Sequence, residues 1–239
     1  MIKDLEPIFL ILSIPRPFLD SVSTKIDALD VEINKVPLLN FLVNSISNES
    51  RKIIIAKKTD QSRIKKLDEI VLYLEHETQG ALATVALAVP NLDNNTPIII
   101  QPFDSLINID FFEAIRYFKS NDCDVGLITV KSDSPELSYV RLNGNSVLEI
   151  VEKKVISEVA LTGIFYFKSR DILMECIRWS ILYRIQTNGK YYIAPSINAQ
   201  IALGKKIGLY NIDKKLFYRF TNFKESQESK NRLELISGS

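Results

Sequence analysis

The chain has 239 residues, 30 basic and 29 acidic, for a formal net charge of +1. That length buries a full core as one domain. The charge balance lacks the basic patch or stripe of a nucleic-acid binder. Cys123 and Cys176 have no second Cys or His at metal-ligand spacing. A disulfide is not expected, because no signal peptide is recognisable. The apolar run 7–14 (PIFLILSI) follows acidic residues and is short, so it reads as a buried strand rather than a membrane span. A cytoplasmic globule is the expectation.

Short apolar runs then alternate with helical patterns. Residues 37–46 place Leu38, Leu39, Leu42, Val43 and Ile46 at helical spacing, with Pro37 at the start. Strands are predicted over 52–56 (KIIIA) and 70–74 (IVLYL), with a short polar helix over 60–67 between them. A small-residue helix follows over 80–88, then a doubly buried strand over 97–101 (PIIIQ). An amphipathic helix is predicted over 110–119 and a strand over 124–130. Asn143-Gly144 between alternating runs signals a hairpin, with a third strand starting near Gly163. Helices over 169–183 and 194–203 precede a last strand over 207–212. Strands separated by helices argue for an α/β fold with a mostly parallel sheet, to which the hairpin adds an antiparallel element. The domain is predicted over 1–220, and the polar segment 221–239 is expected to be a frayed tail.

Few residues stand out chemically. Asp104 follows a predicted strand, where parallel sheets open their ligand crevice. A carboxylate there can hold Mg²⁺ with phosphates, or simply cap a helix. Gln79 and Gly80 open a helix after a strand. Glycine allows close backbone approach, helix amides favour anions, and a glutamine can read a base edge. An ordinary loop-to-helix start has the same look. Glu152 and Lys153 suit a sugar hydroxyl and a phosphate, but Glu-Lys-Lys after a strand is also a common solvated cluster. His76, the only histidine, has no nucleophile placed beside it.

Taken together, several segments resemble the bacterial sugar-phosphate nucleotidyltransferases, in particular the branch tied to capsule and lipopolysaccharide biosynthesis. Lys35-Val36-Pro37-Leu38-Leu39 is similar to that family's G-K-P helix start without its glycine. Thr78-Gln79-Gly80-Ala81 is similar to its T-x-G-A turn. The segment 97–104 resembles its P-L-L-I-x-x-x-D. Ser138-Tyr139, Glu152-Lys153, Ala160 and Gly163 fall in the order of S-Y…E-K…A…G. The segment 188–198 resembles N-G-x-F-Y-V-x-P-x-Y-N. The series spans 35–213.

The resemblance implies a GT-A-like three-layer sandwich. It also implies transfer of a nucleotidyl group from a nucleoside triphosphate to a sugar phosphate or similar small phosphate, with Mg²⁺ and release of pyrophosphate, in surface polysaccharide synthesis. By the same resemblance Asp104 binds metal and triphosphate, and Gln79 and Gly80 meet the base. Glu152, Lys153, Gly163 and Asn198 form the acceptor side. A homo-oligomer or a paralogue partner is compatible with it.

Two departures bear on activity. The family's glycine-rich first loop is replaced by Ser13-Ile14-Pro15-Arg16-Pro17-Phe18; by the resemblance Arg16, and Lys25 further on, are catalytic candidates that contact phosphate as charges. Two prolines there remove amide donors. The late G-T-P-E-D segment is replaced too, and the nearest counterpart of a second metal-binding Asp is about Tyr218. The alternative expectation is therefore a catalytically inactive relative that binds a phosphometabolite or a partner subunit.

Overall fold

The computed structural model describes residues 6–14, 27–64 and 67–237. In chain order it forms β1 (Ile8–Ser13), the small hairpin β2 (Glu32–Ile33) and β3 (Val36–Pro37), α1 (Leu38–Ser45), β4 (Lys52–Lys57), β5 (Ile70–Leu74) and α2 (Ala81–Ala88). Next come β6 (Ile98–Pro102), β7 (Ser105–Ile107), α3 (Phe111–Ser120), β8 (Val125–Lys131), β9 (Tyr139–Asn143), β10 (Ser146–Val151) and β11 (Val159–Phe167). The chain continues through α4 (Arg170–Leu182), α5 (Ile193–Ser196), α6 (Asn198–Ala202), β12 (Ile207–Ile212), β13 (Phe217–Arg219) and α7 (Phe223–Ser237).

Alternation along the first strands explains the layers. Phe9 and Ile11 of β1 and Ile54 and Ala56 of β4 enter one core, with α1, α3 and Leu233 of α7. Ile8, Leu10, Ile53 and Ile55 enter the other, with α2, α4 and α5. Both faces are dry, as parallel strands require. The sheet runs β5-β4-β1-β6-β11-β8-β12, with all strands parallel except β11. This is the α/β sandwich with a mostly parallel mixed sheet that the alternation of strands and helices predicts.

β11 forks the sheet. On one edge it pairs with β8 along its length, interrupted between Leu161 and Phe165. On the other edge Ala160 meets β9, while Phe165–Phe167 meet β6. Gly163 lies at the change of partner with φ of +87°, where a side chain would be strained. The strand therefore begins at Val159, ahead of the predicted start near Gly163, and the glycine marks its bulge.

Other boundaries moved for physical reasons. The hairpin turn is Gly144-Asn145, one residue later than predicted, because Asn143 still pairs with Ser146. Gly144, the first central residue, takes the positive φ. The predicted helix over 60–67 is replaced by one 3₁₀ turn, Lys58–Asp60. Arg63 beside it is drawn to Asp27, Asp30 and Asp60 instead.

The frayed tail is also corrected: residues 223–237 form α7. Leu233, Ser226 and Ser229 are buried on its inner face. Small hydroxyls carry no apolar signal, yet they can be buried once bonded. The Ser226 hydroxyl donates to Asn222 O, and the Ser229 hydroxyl donates to Arg219 O while accepting from Arg219 N. Cys123 and Cys176 are free and buried. Among the described residues no helix is long and apolar enough to cross a membrane.

Candidate active site

The fork opens a cleft of about 430 Å³. Its floor comes from Leu12, Ile14, Pro102 and Asp104, after or near the C-terminal ends of β1 and β6. One side carries Lys57, Glu77, Thr78, Gly80 and Thr84. The other carries Glu136, Ser138, Glu152, Lys153 and Gly163, with Lys190, Tyr192 and Arg219 at the margins. This is the crevice at the carboxyl ends of parallel strands.

Gly80 caps α2 at φ of +109°. A β-carbon there would collide with the Tyr191 backbone. The two segments are stitched together: Tyr191 N donates to Gln79 O at 2.7 Å and Leu82 N to Tyr191 O at 3.1 Å. The Thr78 and Thr84 hydroxyls lie 2.6 Å apart. Glycine is thus required first by this close approach, and Gly80 lines the cleft. Gln79 is exposed and stands outside the lining, with its carbonyl bonded to Tyr191.

Glu152 and Lys153 turn into the cleft straight after β10. Lys153 has φ of +52°, uncommon outside glycine, and this turns the chain sharply at the strand end. The Ser138 hydroxyl donates to Glu152. The Lys153 ammonium lies over the Tyr192 ring, 5.2 Å from its centre. On the opposite side Lys57 pairs with Glu77 at 2.8 Å and holds that carboxyl below the usual range. His76 is exposed on the rim.

Asn198 is not in the cleft lining. Its amide donates to Ile150 O at 2.8 Å and its carbonyl accepts from Ile150 N at 2.9 Å. β10 is the sheet's outer strand, so the side chain acts as one more strand partner. Its side chain thus braces β10 two residues before Glu152.

The β7–β13 ladder corrects the last assignment. Arg219 faces Ser105, Tyr218 faces Leu106, and Phe220 N donates to Asp104 O at 2.8 Å. Alternation sends Tyr218 into the core, 1 % exposed, with the Arg232 guanidinium 4.5 Å above its ring. Arg219, which the sequence motifs do not single out, lines the same cleft as Asp104. Arg16 and Lys25 lie outside the described residues.

The donor set suits a cation only in part. Asp104 offers one carboxylate in the cleft, and among the described residues no three His, Cys, Asp or Glu side chains gather as a cage. One carboxylate is enough for Mg²⁺ when a ligand's phosphates supply other oxygens.

Comparison with known proteins gives the class. The sequence profile of the nucleotidyl transferase family matches residues 29–200. The chain belongs to that family. It is 23% identical over 197 residues to the bifunctional protein GlmU of Acetivibrio thermocellus, a match covering 76% of this chain and 42% of GlmU. The chain thus spans less than half of that curated relative. In fold it is similar to the nucleoside-diphosphate-sugar pyrophosphorylase of Vibrio cholerae, with TM-score 0.72, 17% identity, and 93% and 99% of the two chains covered. It is also similar to the inositol-1-phosphate CTP transferase of T. maritima, with TM-score 0.73, 14% identity, and 96% and 97% covered.

Proposed function

We propose that this protein transfers a nucleotidyl group from a nucleoside triphosphate to a sugar phosphate or a similar small phosphate, releasing pyrophosphate. The observation that carries this reading is the convergence of Asp104, Glu152, Lys153 and Gly163 on one cleft, from three separate stretches of chain. Glu152, oriented by Ser138, would accept hydroxyls of the acceptor. Lys153 would hold the acceptor's phosphate. Gly80 would let the nucleotide approach the start of α2 by its backbone.

An acceptor phosphate oxygen attacks the α-phosphorus, the bond to the bridging oxygen breaks, and pyrophosphate leaves. Positioning and charge neutralisation are what the protein contributes to such a step. Asp104 is the residue that would hold Mg²⁺, which shields phosphate charge when bound. The motif series supports a place in surface polysaccharide synthesis, and a triphosphate substrate suits a cytoplasmic location.

One observation favours a second reading, a non-catalytic relative that binds a phosphometabolite. Arg219 brings a guanidinium to the cleft that holds Asp104, near the point where the resemblance implies a second metal-binding acid. Pyrophosphate release with Mg²⁺, over a panel of triphosphates and sugar phosphates, separates the two. Release that needs one pair of substrates and vanishes in Asp104→Ala supports transfer. A thermal shift with a sugar phosphate, no shift with any triphosphate and no release would establish the second reading.

A further inference from the structure

Arg219 is an unusual cleft residue. Its side chain is only 12% exposed, so its position is fixed by its surroundings. The backbone is held at both ends by the Ser229 hydroxyl of α7. The guanidinium donates to Glu225 at 2.8 Å and to Glu136 at 2.9 Å. These partners are not equivalent. Glu225 is 29% exposed, is held by the Thr221 hydroxyl at 2.7 Å, and belongs to α7. Glu136 is 56% exposed and comes from the β8–β9 connection on the cleft wall. Glu225 is a fixed support, and Glu136 is the exchangeable partner.

A guanidinium presents five donors in a planar fork that matches phosphate oxygens in pairs. Arg219 lines the cleft that also holds Asp104, with part of its guanidinium already committed to Glu225 of α7. We propose that Arg219 is a phosphate-binding residue of this cleft, and that a ligand phosphate takes the place of Glu136 on its guanidinium. Part of the phosphate charge is then carried by a fixed protein cation. The same exchange frees the segment bearing Glu136, two residues before the Ser138 that orients Glu152. This deepens the phosphate-ligand reading of the cleft and rests on it.

The test is isothermal titration of the full chain with inorganic pyrophosphate in the presence of Mg²⁺. A half-exposed ion pair is a weak competitor, so Glu136→Gln should tighten binding by about two- to fivefold. Glu158→Gln removes the same charge outside the cleft lining, where its partner is Lys131, and should give less. Arg219→Met should weaken binding by about tenfold or more, the scale of lost charge-assisted hydrogen bonds. Circular dichroism confirms that each variant is folded. A Glu136→Gln gain no larger than that of Glu158→Gln overturns the assignment of Arg219, even if Arg219→Met fails to fold. Unchanged affinity in a folded Arg219→Met variant overturns it as well. Wild-type protein that binds no pyrophosphate defeats the phosphate reading itself, and the inference with it.

Discussion

Asn198→Ala separates a structural role from a ligand-binding one. The side chain bonds both the N–H and the C=O of Ile150, and Ile150 is 1% exposed. Truncation leaves two buried backbone groups without these partners, on an outer strand with no further strand on that edge among the described residues. An unmade buried hydrogen bond costs ~1–3 kcal/mol, so the pair is worth roughly 2–4 kcal/mol once partial access by water is allowed. At about 2–4 °C per kcal/mol for a chain of this size, Tm should fall by roughly 5–15 °C. Urea unfolding followed by circular dichroism gives the free energy, and a scan gives Tm. Affinity for a sugar phosphate should fall only modestly, through the loosened Glu152-Lys153 turn. Stability within about 0.5 kcal/mol of wild type, combined with lost ligand binding, would refute this reasoning and return Asn198 to the cleft.

Further outcomes follow from the packing. Gly80→Ala forces a side chain against Tyr191 at φ of +109°, and should cost at least ~1–3 kcal/mol in urea unfolding, with faster proteolysis between residues 184 and 192. Ending the chain after Thr221 removes α7 and the buried Leu233, worth ~1.5–3 kcal/mol by its apolar area alone. The shortened protein should unfold at lower urea and lose pyrophosphate affinity, whereas a true tail would change neither. Burial pushes the Cys176 thiol up to about 12 and raises Cys123 as well. Neither thiol should react with a disulfide reagent at neutral pH until the protein is unfolded. Because the folded thiols hold their protons longer, their contribution to stability is complete below the unfolded thiol pKa of about 8.5. It declines as pH rises toward 12, so Tm should fall across that range, less steeply in Cys176→Ala.

What could be read from the chain depended on which signals are local. β1, β4 and β6 announced themselves because strands dry on both faces leave continuous apolar runs. α3 was equally plain, with Phe111, Ala114, Ile115 and Phe118 on one side and Asp110 capping its start. Asp104, Glu152, Lys153 and Gly163 were recognised by order along the chain, and the fold brings them to one cleft. α7 was missed because its inward face is built partly from serines, whose burial depends on hydroxyl partners that periodicity cannot show. Asn198 was misplaced because a side-chain amide that mimics a strand has the same letter as one that binds a ligand. Arg219 was missed because β7 and β13 are three-residue strands whose pairing is wholly non-local.

That last pairing also sets a timetable for synthesis. Ser105 leaves the ribosome about a hundred residues before the Arg219 that will face it, an interval on the order of ten seconds at ordinary elongation rates. During that time β1, β4, β5 and β6 can already be assembled, but the wall beside Asp104 does not exist. A nascent chain of this protein is therefore an open, half-built vessel. Its cleft is completed only when β13 and then α7 emerge, so premature release of the chain would yield a sheet without the wall that carries Arg219.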